Sequence, residues 1–141
     1  MKTQKTDSYK KSQVETADQL SLIIMLYDKA ILLLEKAKNE ISEKKHEEKH
    51  ESLTKACNIV FELIQSLDQD KGGEIAASLS RLYGFVVREI LDADTNLNIK
   101  ALDNAKGILS ELRESWEGIK SDPNIKIPDT NTPEANMDLS G

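Results

Sequence analysis

"SLDQDKGGEIAASLSRLYGFVVREIL", Ser66 to Leu91, sets two adjacent glycines between two stretches of helical periodicity. Downstream of the pair, apolar residues recur as Ile75/Ala76, Leu79, Leu82/Tyr83, Val86 and Ile90. Steps of three and four put these residues on one helix face. Upstream, Leu53, Ala56/Cys57, Val60, Ile64 and Leu67 do the same, with Ile59, Phe61 and Leu63 widening the stripe. Two amphipathic helices in series require a reversal, and Gly72-Gly73 is the expected structural turn. One glycine takes the left-handed conformation that closes the first of these helices, and the other lets the next start close by. A phosphate cradle fails on its chemistry. A Walker-type loop needs a lysine and a hydroxyl after its last glycine, where this chain has Glu74. That carboxylate suits the positive end of a helix dipole and repels phosphate.

The same period appears on both sides of this stretch. Leu20, Ile23/Ile24, Tyr27, Ile31, Leu34 and Ala37 form a stripe, and Thr16-x-x-Gln19 before it matches a capping box. Leu22, Met25, Leu26, Leu32 and Leu33 lie off that stripe, so this helix is apolar around much more than one face. Such a helix is central in its fold or faces a partner. A last helix carries Ile99, Leu102, Ala105, Leu109, Leu112 and Trp116, with Thr95, Asn96 or Asn98 as its N-cap. No segment alternates with period two. The expected fold is all-α: four main helices in an antiparallel bundle. Residues 1–15 read as a polar, flexible arm carrying Tyr9, and 16–120 as the bundle. All three prolines fall in 121–141, which has no aromatic residue and no periodicity and reads as a disordered tail.

Charged residues make up 31% of the 141 and aromatics 4%, so the core is aliphatic. A net charge of −6 argues against a nucleic-acid surface, which needs clustered cations. The single Cys57 has no disulfide partner within the chain and sits in an apolar context, which fits a reducing cytosol. The run Leu20–Leu34 is broken by Asp28-Lys29, too early for a membrane span or a secretion signal. A cytoplasmic location follows.

Catalytic constellations do not survive inspection. His46 to His50 spells H-E-x-x-H, the spacing that places two zinc ligands and a base on one helix face. Its flanks, Lys44-Lys45 and Glu51, are those of a solvated helix end, and there is no third histidine. A di-metal bundle needs a second Glu-x-x-His, and a nucleophile elbow needs G-x-S-x-G; both are missing. No catalytic residue, metal or cofactor is expected.

The opening string also carries a likeness. S-L-D, a short spacer, G-G-E-I-A and then L-x-x-L-Y resembles the signature of the flagellin-specific export chaperones, the FliS family. Three further stretches agree in order: Tyr9 followed by "VETA" at Val14–Ala17, "LIIMLYDKAI" at Leu22–Ile31, and "LSELRESW" at Leu109–Trp116. The likeness covers about Tyr9 to Trp116. The chain departs from the family at Gln19, near which members often have proline, and at Lys29, where they often have glycine. An A-N-x-x-x-D element is replaced by Ala93-Asp94 and then Asn98.

The resemblance implies a cytosolic bundle that binds the unfolded C-terminal segment of flagellin. It would block premature polymerisation and present the cargo to a component of the flagellar export gate. A co-chaperone or flagellar regulator is a further partner of this kind. Membrane insertion and nucleic-acid binding are not implied. The cargo surface would draw on Leu22, Met25, Leu26, Leu33, Ile59, Leu63, Leu82, Tyr83 and Val86. Tyr9 of the N-terminal arm would act as a displaceable plug over the empty groove. The rival readings are a self-associating adaptor bundle, and a bundle whose apolar residues simply fill its own core.

Overall fold

The structure is a computed structural model that describes the backbone of residues 2–122 and the side chains of 19–122 apart from residue 69. Among these residues the chain forms four helices and no strand. They are α1 (Lys2–Ser42), α2 (His46–Gln65), α3 (Gln69–Asn96) and α4 (Ile99–Ser121). Helix α1 packs on α2 and α4, and α3 packs on the same two, so α1 and α3 are diagonal. No described helix is long and apolar enough to cross a membrane. The stretch read as a tail lies, from residue 123, outside the described residues.

The register of α1 against α4 is written in polar contacts. Asp28 meets Arg113 at 2.7 Å, Glu35 meets Lys106, and Lys38 meets Asp103 at 3.0 Å. Numbers rise along α1 as they fall along α4, which makes the pair antiparallel. These contacts are largely exposed, so each adds at most about 1 kcal/mol and mainly sets the register. The core supplies the stability. Leu34, Leu53, Val60, Leu63, Val86, Ile90, Leu102 and Leu109 are all 0–1% exposed and come from all four helices.

Local hydrogen bonds close several of the helix ends. Lys44, at φ 60°, occupies the left-handed position after α1. The Lys45 amide reaches back to the Glu40 carbonyl at 2.8 Å and the Lys44 amide to Ile41 at 3.1 Å, a Schellman closure. Asn98 caps α4, its Oδ1 accepting from the Ala101 amide at 3.2 Å. Asn98 Nδ2 also donates to Asp92 at 2.8 Å, tying the α3–α4 connection together.

Two sequence expectations are corrected. Thr16 does not start a helix: α1 runs unbroken from Lys2, through the segment read as an arm. The capping-box match misled because nothing upstream stops a helix; residues 1–15 contain neither glycine nor proline. The reversal after α2 is likewise not made by the glycines. Helix α2 closes on Ser66, in right-handed conformation, whose amide bonds back to Glu62. Asp68 then opens α3 by accepting from the amides of Asp70 and Lys71 at 3.1 and 3.0 Å. Gly73 comes one turn later, at φ 55° and ψ −131°, and kinks α3 just inside its start. That backbone is open to glycine alone, although a Cβ there would meet no atom within 4 Å.

Candidate functional site

The bundle has a polar knot at its centre. Tyr27 of α1 and Tyr83 of α3, 0% and 1% exposed, join hydroxyl to hydroxyl across the diagonal. Trp116 of α4 donates its indole N–H to the Tyr27 hydroxyl at 3.0 Å. Burial drives the Tyr27 hydroxyl far above its ordinary pKa and pushes Tyr83 up to about 12. Both therefore stay protonated and neutral at any physiological pH. This is an internal tie, and Tyr83 is not available to a partner.

A second polar group clasps α2 to α3. Lys49, 7% exposed, reaches the Asp94 carboxylate at 2.8 Å and the Asp94 carbonyl oxygen at 2.8 Å. His50 Nδ1 meets the other carboxylate oxygen at 2.6 Å. Burial pushes the Asp94 carboxyl upward, but the bonds from Lys49 and His50 outweigh it and hold its pKa below the usual range. The H-E-x-x-H string thus opens α2, with His50 spent on Asp94 and His46 exposed. Among the described residues, no three His, Cys, Asp or Glu side chains converge as a metal would require.

Above the clasp lies a crevice of about 190 Å³ between α2 and α3. Leu53, Cys57, Phe61, Ile90 and Leu91 form its apolar walls, with Thr54, Asn58 and Asp94 among the polar lining. Burial, and then the Asp94 charge, push the Cys57 thiol up to about 11. It is a protonated wall residue, poorly suited to nucleophilic chemistry.

The sequence-derived surface residues divide sharply. Leu22, Met25 and Leu82 are 53%, 62% and 38% exposed. Leu26 and Leu33 are half-buried against the core. Ile59, Leu63, Tyr83 and Val86 are buried, at 8% exposure or less, and in this conformation reach no partner. Tyr9 lies in the first turns of α1, but its side chain is outside the described ones.

Leu32, which the sequence set off the α1 stripe, is 69% exposed. Sequence reasoning placed other exposed apolar residues in the core stripes or passed over them: Phe61, Ile75, Phe85, Leu91 and Leu97 are 39–56% exposed. Ile75, Leu82 and Phe85 stand seven and three apart, and so share one side of α3. Phe61 and Leu91 flank the crevice from α2 and α3. The signal was present in the adjacent pairs Ile75/Ala76 and Leu82/Tyr83, of which only one member can face inward. Ala76 and Tyr83 do, each at 1% exposure.

Comparison with known proteins supplies a family. A family model described as "Flagellar protein FliS" matches residues 1–123. The flagellar secretion chaperone FliS of Salmonella typhimurium is 38% identical over 109 residues, covering 77% of this chain and 81% of that protein. The flagellar secretion chaperone FliSB of Pseudomonas aeruginosa is 31% identical over 108 residues, covering 77% and 86%. The FliS of Bacillus subtilis is 28% identical over 110 residues, covering 78% and 81%.

Proposed function

Since this chain belongs to the FliS family of flagellar proteins, we propose that it is a flagellin-specific export chaperone of the cytoplasm. It captures the unfolded C-terminal segment of flagellin, prevents premature polymerisation and delivers the cargo to an export-gate component. It acts by binding, without catalysis or cofactor.

One observation carries the reading beyond the family. Nine large apolar side chains are exposed among the described residues, on a bundle whose core is already filled from all four helices. A disordered segment spends about 2–5 kcal/mol or more on becoming ordered. Each leucine or phenylalanine it helps to bury contributes roughly 1.5–3 kcal/mol. Several exposed anchors are therefore what such cargo requires, and helix-in-groove docking is the mode that fits. Phe61 and Leu91 line the same crevice, and Leu82 and Phe85 lie farther round α3. The buried residues Ile59, Leu63, Tyr83 and Val86 support this surface from beneath. The N-terminal segment with Tyr9 covers the surface when cargo is absent.

Isothermal calorimetry with flagellin C-terminal peptides tests this directly. The expected result is saturable 1:1 binding. No heat with a folded chaperone and peptides from several flagellins would sink the proposal. Deleting residues 1–13 should leave peptide affinity unchanged or raise it; a large loss would make the segment a contact instead of a cover.

A further inference from the structure

The outward face of α1 carries a seam that the bundle leaves open. Leu22, Met25, Lys29, Leu32 and Lys36 follow one another at steps of three, four, three and four. This is the spacing of the contact positions of a coiled coil. All five side chains are exposed, and Met25 and Leu32 are the most exposed large apolar residues described, at 62% and 69%. The face that α1 turns to its own bundle is a different one, made by Leu20, Ile23, Ile24, Tyr27, Ala30, Leu34 and Ala37. The seam therefore adds nothing to the fold. Its five positions share an arc of about 80° over roughly 20 Å of helix.

The lysines specify what covers it. Along one edge of the seam, Asp28 and Glu35 are engaged by Arg113 and Lys106 of α4. Lys29 and Lys36 have no ion-pair or hydrogen-bond partner among the described residues. In a chain of net charge −6, two unpaired cations seven residues apart on an apolar seam are a selective feature. A second copy docked in parallel register would set Lys29 against Lys29. An anionic membrane is recognised by clusters of about four to eight cations, and this seam has two.

We propose that this seam docks a partner helix whose apolar face meets Leu22, Met25 and Leu32 and whose carboxylates, seven residues apart, meet Lys29 and Lys36. The partner is an acidic amphipathic helix of another protein, and the site stands whether or not flagellin is the cargo. Lysine at alternate contact positions discriminates among helices as well as binding them, because a helix with cations at the matching positions is repelled.

The test uses two labelled three-heptad peptides with leucine at one contact position, and either glutamate or lysine at the other. Fluorescence anisotropy against the full chain should rank the glutamate peptide about tenfold tighter at low salt, the reach of two exposed ion pairs made in one peptide and opposed in the other. The gap should shrink at 1 M salt, where the screening length falls to about 3 Å. The variant K29E/K36E, with its fold checked by circular dichroism, should reverse the ranking. Equal affinities, no binding of either peptide, or an unchanged ranking in the variant would overturn the proposal. So would a dimer on sedimentation that K29E/K36E abolishes. Binding to phosphatidylserine vesicles that the same variant removes, without peptide discrimination, would overturn it as well.

Discussion

Removing hydroxyls from the central knot should cost stability in a pattern that only its geometry explains. Trp116 donates to Tyr27, and Tyr27 shares a hydrogen bond with Tyr83, so Tyr27 is the middle member. Tyr27→Phe strands two buried groups, the Trp116 N–H and the Tyr83 hydroxyl. At about 1–3 kcal/mol for each unsatisfied buried group, the expected loss is roughly 2–4 kcal/mol. Tyr83→Phe strands only one hydroxyl, since Tyr27 keeps the Trp116 bond, and should cost about 1–2 kcal/mol. The double variant strands the Trp116 N–H alone. It should therefore be less destabilised than the two single losses added together, by on the order of 2–4 kcal/mol, the cost of the two hydroxyls it no longer strands. The rings sit 6.4 Å apart with a 45° tilt, and phenylalanine keeps that packing, so the cycle isolates the hydroxyls. Urea unfolding at pH 7 reads the effect, with slopes of about 1–3 kcal/mol per molar urea. Additive losses, or a larger loss from Tyr83→Phe than from Tyr27→Phe, would refute the connectivity.

Four other outcomes are expected. Gly73→Ala forces a Cβ into a backbone region that it rarely enters and should cost about 1–3 kcal/mol, measured by the same urea midpoint, although space at the site is open. Stability should fall as the medium turns alkaline. Cys57 and Tyr83 have folded pKa values raised to about 11 and 12, so their contribution is whole below the unfolded values, near 9 and 10, and is lost as pH rises through the folded ones. Cys57→Ala should flatten the part of that decline between about pH 9 and 11. Leu82→Ser with Phe85→Ser should weaken flagellin-peptide binding while shifting stability by no more than about 0.5 kcal/mol per site, as calorimetry and unfolding together would show. Leu63→Ala, at 1% exposure, should do the opposite and cost about 2–5 kcal/mol of stability.

The polar clasp shows how unevenly a site is legible in sequence. H-E-x-x-H was visible as a string, and its solvated flanks argued against a metal. That His50 reaches Asp94, 44 positions away, could not be read from either neighbourhood. Asp94 acquires a meaning only once α3 lies beside α2. The same holds for Cys57. Its apolar context was legible, but its place in the wall of a crevice required both helices.

By itself the sequence determined that this chain is helical, how many helices it forms, and to which family it belongs. Those properties are local: a period of three and four, no period of two, proline confined to the last 21 residues, and the string around Gly72-Gly73. It also identified Asn98 among the candidate caps for α4. Tertiary structure decided the phase of each helix. Where apolar residues occupy more than half of a helix's circumference, periodicity leaves several rotations equally satisfied. Packing against two neighbours then selects one, sending Ala76 and Tyr83 inward and Ile75 and Leu82 outward. The reversal moved for a related reason. Asp68 satisfies the free amides at the start of α3, so the chain turns there, and Gly73 is left to bend a helix that has already begun.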